Sequence, residues 1–76
     1  MTPYHPIPGK DIIKALSKSG FIIRRQRGSH VILVHREDNS RRCTVPLHGN
    51  KPIKPGTFQS ILHGSGLTLE EILRLL

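Results

Sequence analysis

Two short apolar runs, Phe21-Ile22-Ile23 and Val31-Ile32-Leu33-Val34, flank the turn Arg27-Gly28-Ser29, which commits the middle of the chain to a β-hairpin. A strand beginning at Phe21 ends at that turn, and a second runs from His30 to Arg36. A polar loop, Glu37 to Arg41, then leads to a third strand, Arg42 to Leu47. Pro46 has no N–H to give a ladder, which argues for an edge or terminal position there.

Helical signals flank the strands. Ile12, Ile13 and Leu16 form a stripe within a helix over about residues 9–19. Gly20 falls where a left-handed cap belongs, placing Phe21 to fold back on Leu16. After the loop His48–Pro52, Pro55 suits a first helical position, and Phe58, Ile61 and Leu62 supply the buried stripe. Gly66-Leu67 repeats the glycine-plus-hydrophobe ending. Thr68 and Glu71 form a capping box for a last helix with an apolar face of Leu69, Ile72, Leu73 and Leu76. The order α-β-β-β-α-α predicts an α+β domain, a three-stranded antiparallel meander with its helices on one face. Residues 1–8, with three prolines, read as a mobile extended arm, and residues 9–76 as a single domain. A chain of 76 residues has room for one domain, one that buries only about 60% of its unfolded surface.

Twelve Lys and Arg against five acids give a net charge of +7, which points to a polyanionic partner. The acids are Asp11, Glu37, Asp38, Glu70 and Glu71, each at a helix first turn or a hairpin loop, so the middle of the molecule presents a nearly unopposed positive field. The lone Cys43 cannot form an intrachain disulfide and reads as a core residue. No apolar stretch reaches membrane-span length, and the expected location is the cytoplasm.

Strand parity turns the hairpin into a site. If the second and third strands pair so that residue numbers sum to 78, Val31 meets Leu47, Leu33 meets Val45, and His35 meets Cys43, an apolar set that belongs against the helices. The open face then carries His30, Ile32, Val34, Arg36, Arg42, Thr44 and Pro46. His30 and His48 face each other at one end, Cβ atoms about 5 Å apart. Exposed Ile32 and Val34 suggest a protein docking surface on the same face.

His30 stands among Arg24, Arg25, Arg27 and Arg36, and its imidazole can give or take a proton near neutral pH. His48 reads first as a loop residue, His35 as a packed one. Ser29, with no acid to orient His30, is better suited to hydrogen-bonding the turn or a phosphate than to nucleophilic attack. Neither His30 nor His48 has a carboxylate near it in sequence and one cysteine cannot make a zinc knuckle, so no metal site and no cofactor are expected. Without spare carboxylates, cleavage of RNA would be metal-free: the 2′-hydroxyl attacks the adjacent phosphate, His30 moves the proton, and cations stabilise the oxyanion. DNA, lacking the 2′-hydroxyl, survives.

The segments G-F-I-I-R-R-Q-R-G-S-H-V-I-L, V-P-L-H-G-N-K-P-I and G-T-F-Q-S-I-L-x-x-S-G-L-T, in this order, resemble the HicA-type toxins of bacterial and archaeal toxin–antitoxin systems over about residues 9–76. The resemblance implies a double-stranded-RNA-binding-domain-like fold and mRNA interferase activity on single-stranded mRNA. The histidine of the family's G-S-H motif, held responsible for cleavage, falls on His30, with Gly28 and Ser29 before it, and the P-x-H element falls on Pro46 and His48. A HicB-type antitoxin would mask that histidine, which fits docking at Ile32 and Val34. The chain departs from the pattern in its longer arm and in Gly64, which stands where a helix former is common and should weaken the helix end by up to ~1 kcal/mol. Arg24, Arg36, Arg42, Lys51 and Lys54 are the expected phosphate contacts. Two rival readings use the same residues: a non-catalytic RNA-binding module, and a protein-interaction or DNA-binding component of a regulatory complex.

Overall fold

The computed structural model describes residues 6–76. Helix α1 spans Gly9–Lys18, strands β1, β2 and β3 span Phe21–Arg27, His30–His35 and Asp38–Pro46, and helices α2 and α3 span Pro55–Ser65 and Leu69–Leu75. The strands form one antiparallel meander in the order β1-β2-β3. The predicted α-β-β-β-α order with an added C-terminal helix is thus the observed one. The helices lie on one face, where Ile12, Leu16, Phe58, Ile61 and Ile72 pack with Phe21, Val31, Leu33, Cys43 and Val45 from the sheet.

The helix ends follow the local chemistry. Pro55 occupies the first turn of α2, and Gly66 closes it at φ 74°, with its N–H donating to the Leu62 carbonyl. Thr68 accepts from the Glu71 N–H at 3.1 Å while Glu71 accepts from the Thr68 N–H at 3.0 Å, the reciprocal box expected of this spacing. Gly64 has a role that helix propensity alone does not reveal. A Cβ there would collide with the Arg42 carbonyl oxygen, so the missing side chain lets α2 approach the β3 backbone.

Four expectations are corrected. The third strand begins at Asp38, not Arg42, because the hairpin closes on the two-residue turn Arg36-Glu37; Asn39, Ser40 and Arg41 then bulge out without partners on β2. The β2–β3 register sums to 76, with Val31 opposite Val45 and Leu33 opposite Cys43. A shift of two keeps every residue on its face, so hydrophobic pattern could not separate the two registers; the tight turn together with the Asn39–Arg41 bulge does. In α3, Ile72 is buried and Leu69 and Leu75 pack on the core, but Leu73 and Leu76 are exposed. This short helix lies against α1, with the Lys18 ammonium donating to the Leu75 carbonyl at 2.9 Å, and Leu76 falls beyond its end.

The fourth concerns the start of the chain. Residues 1–5 of the expected arm lie outside the described residues, but Ile7 is only 5% exposed and belongs to the core. Its carbonyl accepts from the Ile53 N–H at 2.9 Å, and Pro8 bridges Pro52 antiparallel to it. The packed part of the chain therefore begins before the first helix.

Candidate active site

Residues paired across antiparallel strands share a face, so the sheet surface away from the helices can be read row by row. Arg27, His30 and Pro46 form one row; Arg25, Ile32 and Thr44 the next; Ile22, Val34 and Arg42 a third. His30 is exposed at the mouth of the β1–β2 hairpin. Gly28 takes φ 55° in the intervening turn, a left-handed conformation that favours glycine. The Ser29 carbonyl accepts from the Leu47 N–H at 2.6 Å, which fastens this turn to the chain leaving β3.

That chain reverses at once. Gly49, at φ 62°, sits in a turn closed by the Lys51 N–H on the His48 carbonyl at 3.1 Å. The reversal gathers His30, Pro46, His48, Lys51, Lys54 and Thr57 around an open cleft of about 280 Å³. His48 does not sit opposite His30 as parity had placed it, since the register puts Pro46 there. The two imidazoles nevertheless line one cleft, brought together by the loop rather than by strand pairing.

A second cleft, of about 390 Å³, opens further along the same face, lined by Arg24, Arg25, Asn39 and Arg42 around Ile32 and Val34. A β-bulge shapes it. Ile23 pairs with Leu33 and Arg25 with Ile32, leaving Arg24 as the extra residue, so two consecutive arginines line one cleft where regular alternation would divide them. Arg42 donates from Nε and Nη2 to the Asn39 carbonyl at 3.2 and 3.1 Å, so the β3 bulge holds its guanidinium in place. Val34, expected to be exposed, is only 6% so: it forms the cleft floor beneath longer side chains, with half-buried Ile32 beside it. The exposed apolar residues of the sheet are instead Ile22 and Ile23 on the β1 edge.

The expected phosphate contacts therefore divide. Lys51 and Lys54 stand with His30, and Arg24 and Arg42 line the second cleft. Arg36 lies in the turn at the far end of β2, six residues and about 20 Å of strand from His30. Sequence reasoning named Arg25 and Arg27 among the cations around His30 but not among the phosphate contacts. The bulge that sets their facing has no residue signature in this strand.

Other polar groups have structural work. His35 accepts from the Glu37 N–H at Nδ1, so its Nε2 carries the proton donated to the Ser19 carbonyl at 3.1 Å. Its ring also meets Phe21 edge-on at 5.1 Å. Arg41 donates to the Ser65 carbonyl at 2.7 Å and lies over Phe21, tying the β3 bulge to the end of α2. Burial pushes the Cys43 thiol up to about 11, which leaves it a poor nucleophile at neutral pH. None of the five acids lines either cleft, and among the described residues no group of three or more His, Cys, Asp or Glu could hold a metal ion.

A small basic α+β domain with an exposed histidine in a cationic cleft is the class of protein these features define. Residues 9–67 match the family described as HicA toxin of bacterial toxin-antitoxin systems, and the chain belongs to that family. No curated protein matches it. Helix α3 lies beyond the matched residues, as do Ile7 and Pro8. Among the described residues no helix is long and apolar enough to cross a membrane.

Proposed function

We propose that this toxin is a cytoplasmic endoribonuclease that cleaves single-stranded mRNA without a metal ion, with His30 as its general acid/base, and that a HicB-type antitoxin neutralises it. The observation that carries this reading is the placement of the exposed His30 imidazole beside His48, Lys51 and Lys54, with Arg27 directly across the hairpin. The 2′-oxygen attacks phosphorus as its proton passes to His30. The P–O5′ bond then breaks, giving a 2′,3′-cyclic phosphate and a 5′-hydroxyl that takes its proton from a second donor. His48, the other imidazole of the cleft, is the residue proposed for that support, while Lys51, Lys54 and Arg27 offset the charge growing on phosphate. Gly28 and Ser29 keep the turn that presents His30 close to the RNA backbone. What favours a metal-free route is the lining itself: a metal-dependent nuclease needs carboxylates, and this cleft offers none.

Antitoxin docking on the open face would cover both His30 and the Ile32–Val34 floor, excluding RNA. Incubation of the purified chain with single-stranded RNA in chelator, beside His30→Ala, tests the reading. Cleavage by the parent alone supports it; binding by both without cleavage favours a non-catalytic RNA-binding module. Loss of parent cleavage on adding a HicB-type antitoxin tests the second half.

A further inference from the structure

We infer that the arginine-lined cleft over Ile32 and Val34 is a second nucleotide subsite, which holds a phosphodiester and base of the same RNA strand whose scissile bond lies at His30. This rests on the ribonuclease reading and adds to it a distinct place for the flanking nucleotide. Three observations carry it.

The first is the bulge, which turns Arg24 and Arg25 into one cleft that Arg42 closes from the opposite edge strand. Among the described residues the one ion pair is Arg74–Glu70, so no carboxylate neutralises these three guanidinium groups. The second is the pinning of Arg42. Two of its five N–H donors are spent on the Asn39 carbonyl, which leaves a held fork able to donate to an anion. The third is the floor. Half-buried Ile32, with Val34 beneath it, gives an apolar floor between cationic walls, suited to the flat face of a base whose phosphate lies on the guanidinium groups.

Continuity of the face selects the ligand. Ile32 and Val34 lie two and four residues along β2 from His30 on the same side, about 7 and 13 Å of strand. A strand of RNA leaving the His30 cleft would run onto this floor without crossing an acid. An acidic peptide satisfies the arginines equally well, but it offers no base for the apolar floor and no phosphodiester for His30.

The test measures binding and cleavage separately. On a His30→Ala background, affinity for a labelled single-stranded RNA is measured across a salt series, with Arg25→Gln and Arg42→Gln added singly and Arg42→Lys as the conservative change. The expected result is at least tenfold weaker binding for each Gln variant, a salt slope smaller by about 0.7 for each phosphate no longer neutralised, and incomplete rescue by Lys, which lacks the fork. Binding within twofold of the His30→Ala parent would overturn the subsite, as would full rescue by Lys, which would indicate a diffuse field. So would RNA that fails to bind while an acidic peptide of equal charge does, since the cleft would then be a protein site. Cleavage by the unsubstituted chain is scored independently. If it is absent while the arginine variants still lose RNA, the nuclease reading fails and the cleft stands only as an RNA-binding site; the reverse pattern sinks the subsite alone.

Discussion

Arg27 and His30 are direct partners across the β1–β2 pair, the last pair before the Gly28-Ser29 turn, and so stand on the same face. The two-residue turn pairs Arg27 with His30, so it decides which cation stands beside the imidazole. Arg36, at the other end of the same run of residues as His30, lies at the opposite end of the sheet. Arg27→Ala is therefore expected to lower kcat/KM on RNA about a hundredfold, the scale of losing one charge-stabilising donor. Arg36→Ala should stay within about twofold. Equal losses in the two variants would show that overall charge, not this pairing, carries the effect.

His30→Ala should remove cleavage almost entirely, by about 10²–10⁴-fold, while RNA affinity changes little. His48→Ala should cost less, because the loop places it in the same cleft but the strands do not hold it opposite His30. Single-turnover cleavage of a defined oligonucleotide measures both. A loss at His48 equal to that at His30 would make the pair, rather than His30, the catalytic unit.

Gly64→Ala reverses the usual helix rule. Alanine in a helix interior gains about 1 kcal/mol over glycine, but here the new methyl would meet the Arg42 carbonyl, an overpacking that costs about 1–3 kcal/mol. The expected outcome is a lower Tm in thermal unfolding. A higher Tm would mean that α2 can move off β3 without penalty.

The Thr68–Glu71 box makes a pH-dependent contribution. The Thr68 N–H and hydroxyl hold the Glu71 carboxyl below its ordinary value of 4.5, so the folded state favours the charged form. That contribution is complete above pH 4.5 and is lost as pH falls through the lowered value. Thr68→Ala should cost about 1 kcal/mol at neutral pH. The gap between parent and Glu71→Gln should close on acidification in denaturant titrations at successive pH values. A gap that stays constant would assign the box no titrating role.

Ile7→Ala should destabilise the protein by about 2–5 kcal/mol, the range for truncating a buried isoleucine. In a domain this small that is a large share of the total stability. A change below about 0.5 kcal/mol in urea unfolding would return Ile7 to the status of an arm residue.

The sequence by itself determined the elements, their order and the helix caps, because those depend on neighbours. Gly66 needs only its own φ, Thr68 needs only Glu71 three residues on, and the alternation from Val31 to Leu33 fixes which residues face the helices. It also singled out His30, since a glycine-serine turn before an apolar run is itself local. Tertiary structure decided the rest. The β2–β3 register moved by two because the Arg36-Glu37 turn closed early and the Asn39–Arg41 bulge then took up three residues, and facing alone cannot detect an even shift. Val34 became buried because arginines from the two flanking strands line the cleft above it, and Ile7 joined the core only because Ile53, far along the chain, offered it a backbone partner. Local propensity is written in adjacent residues, whereas register, bulge placement and burial follow from which distant surfaces meet.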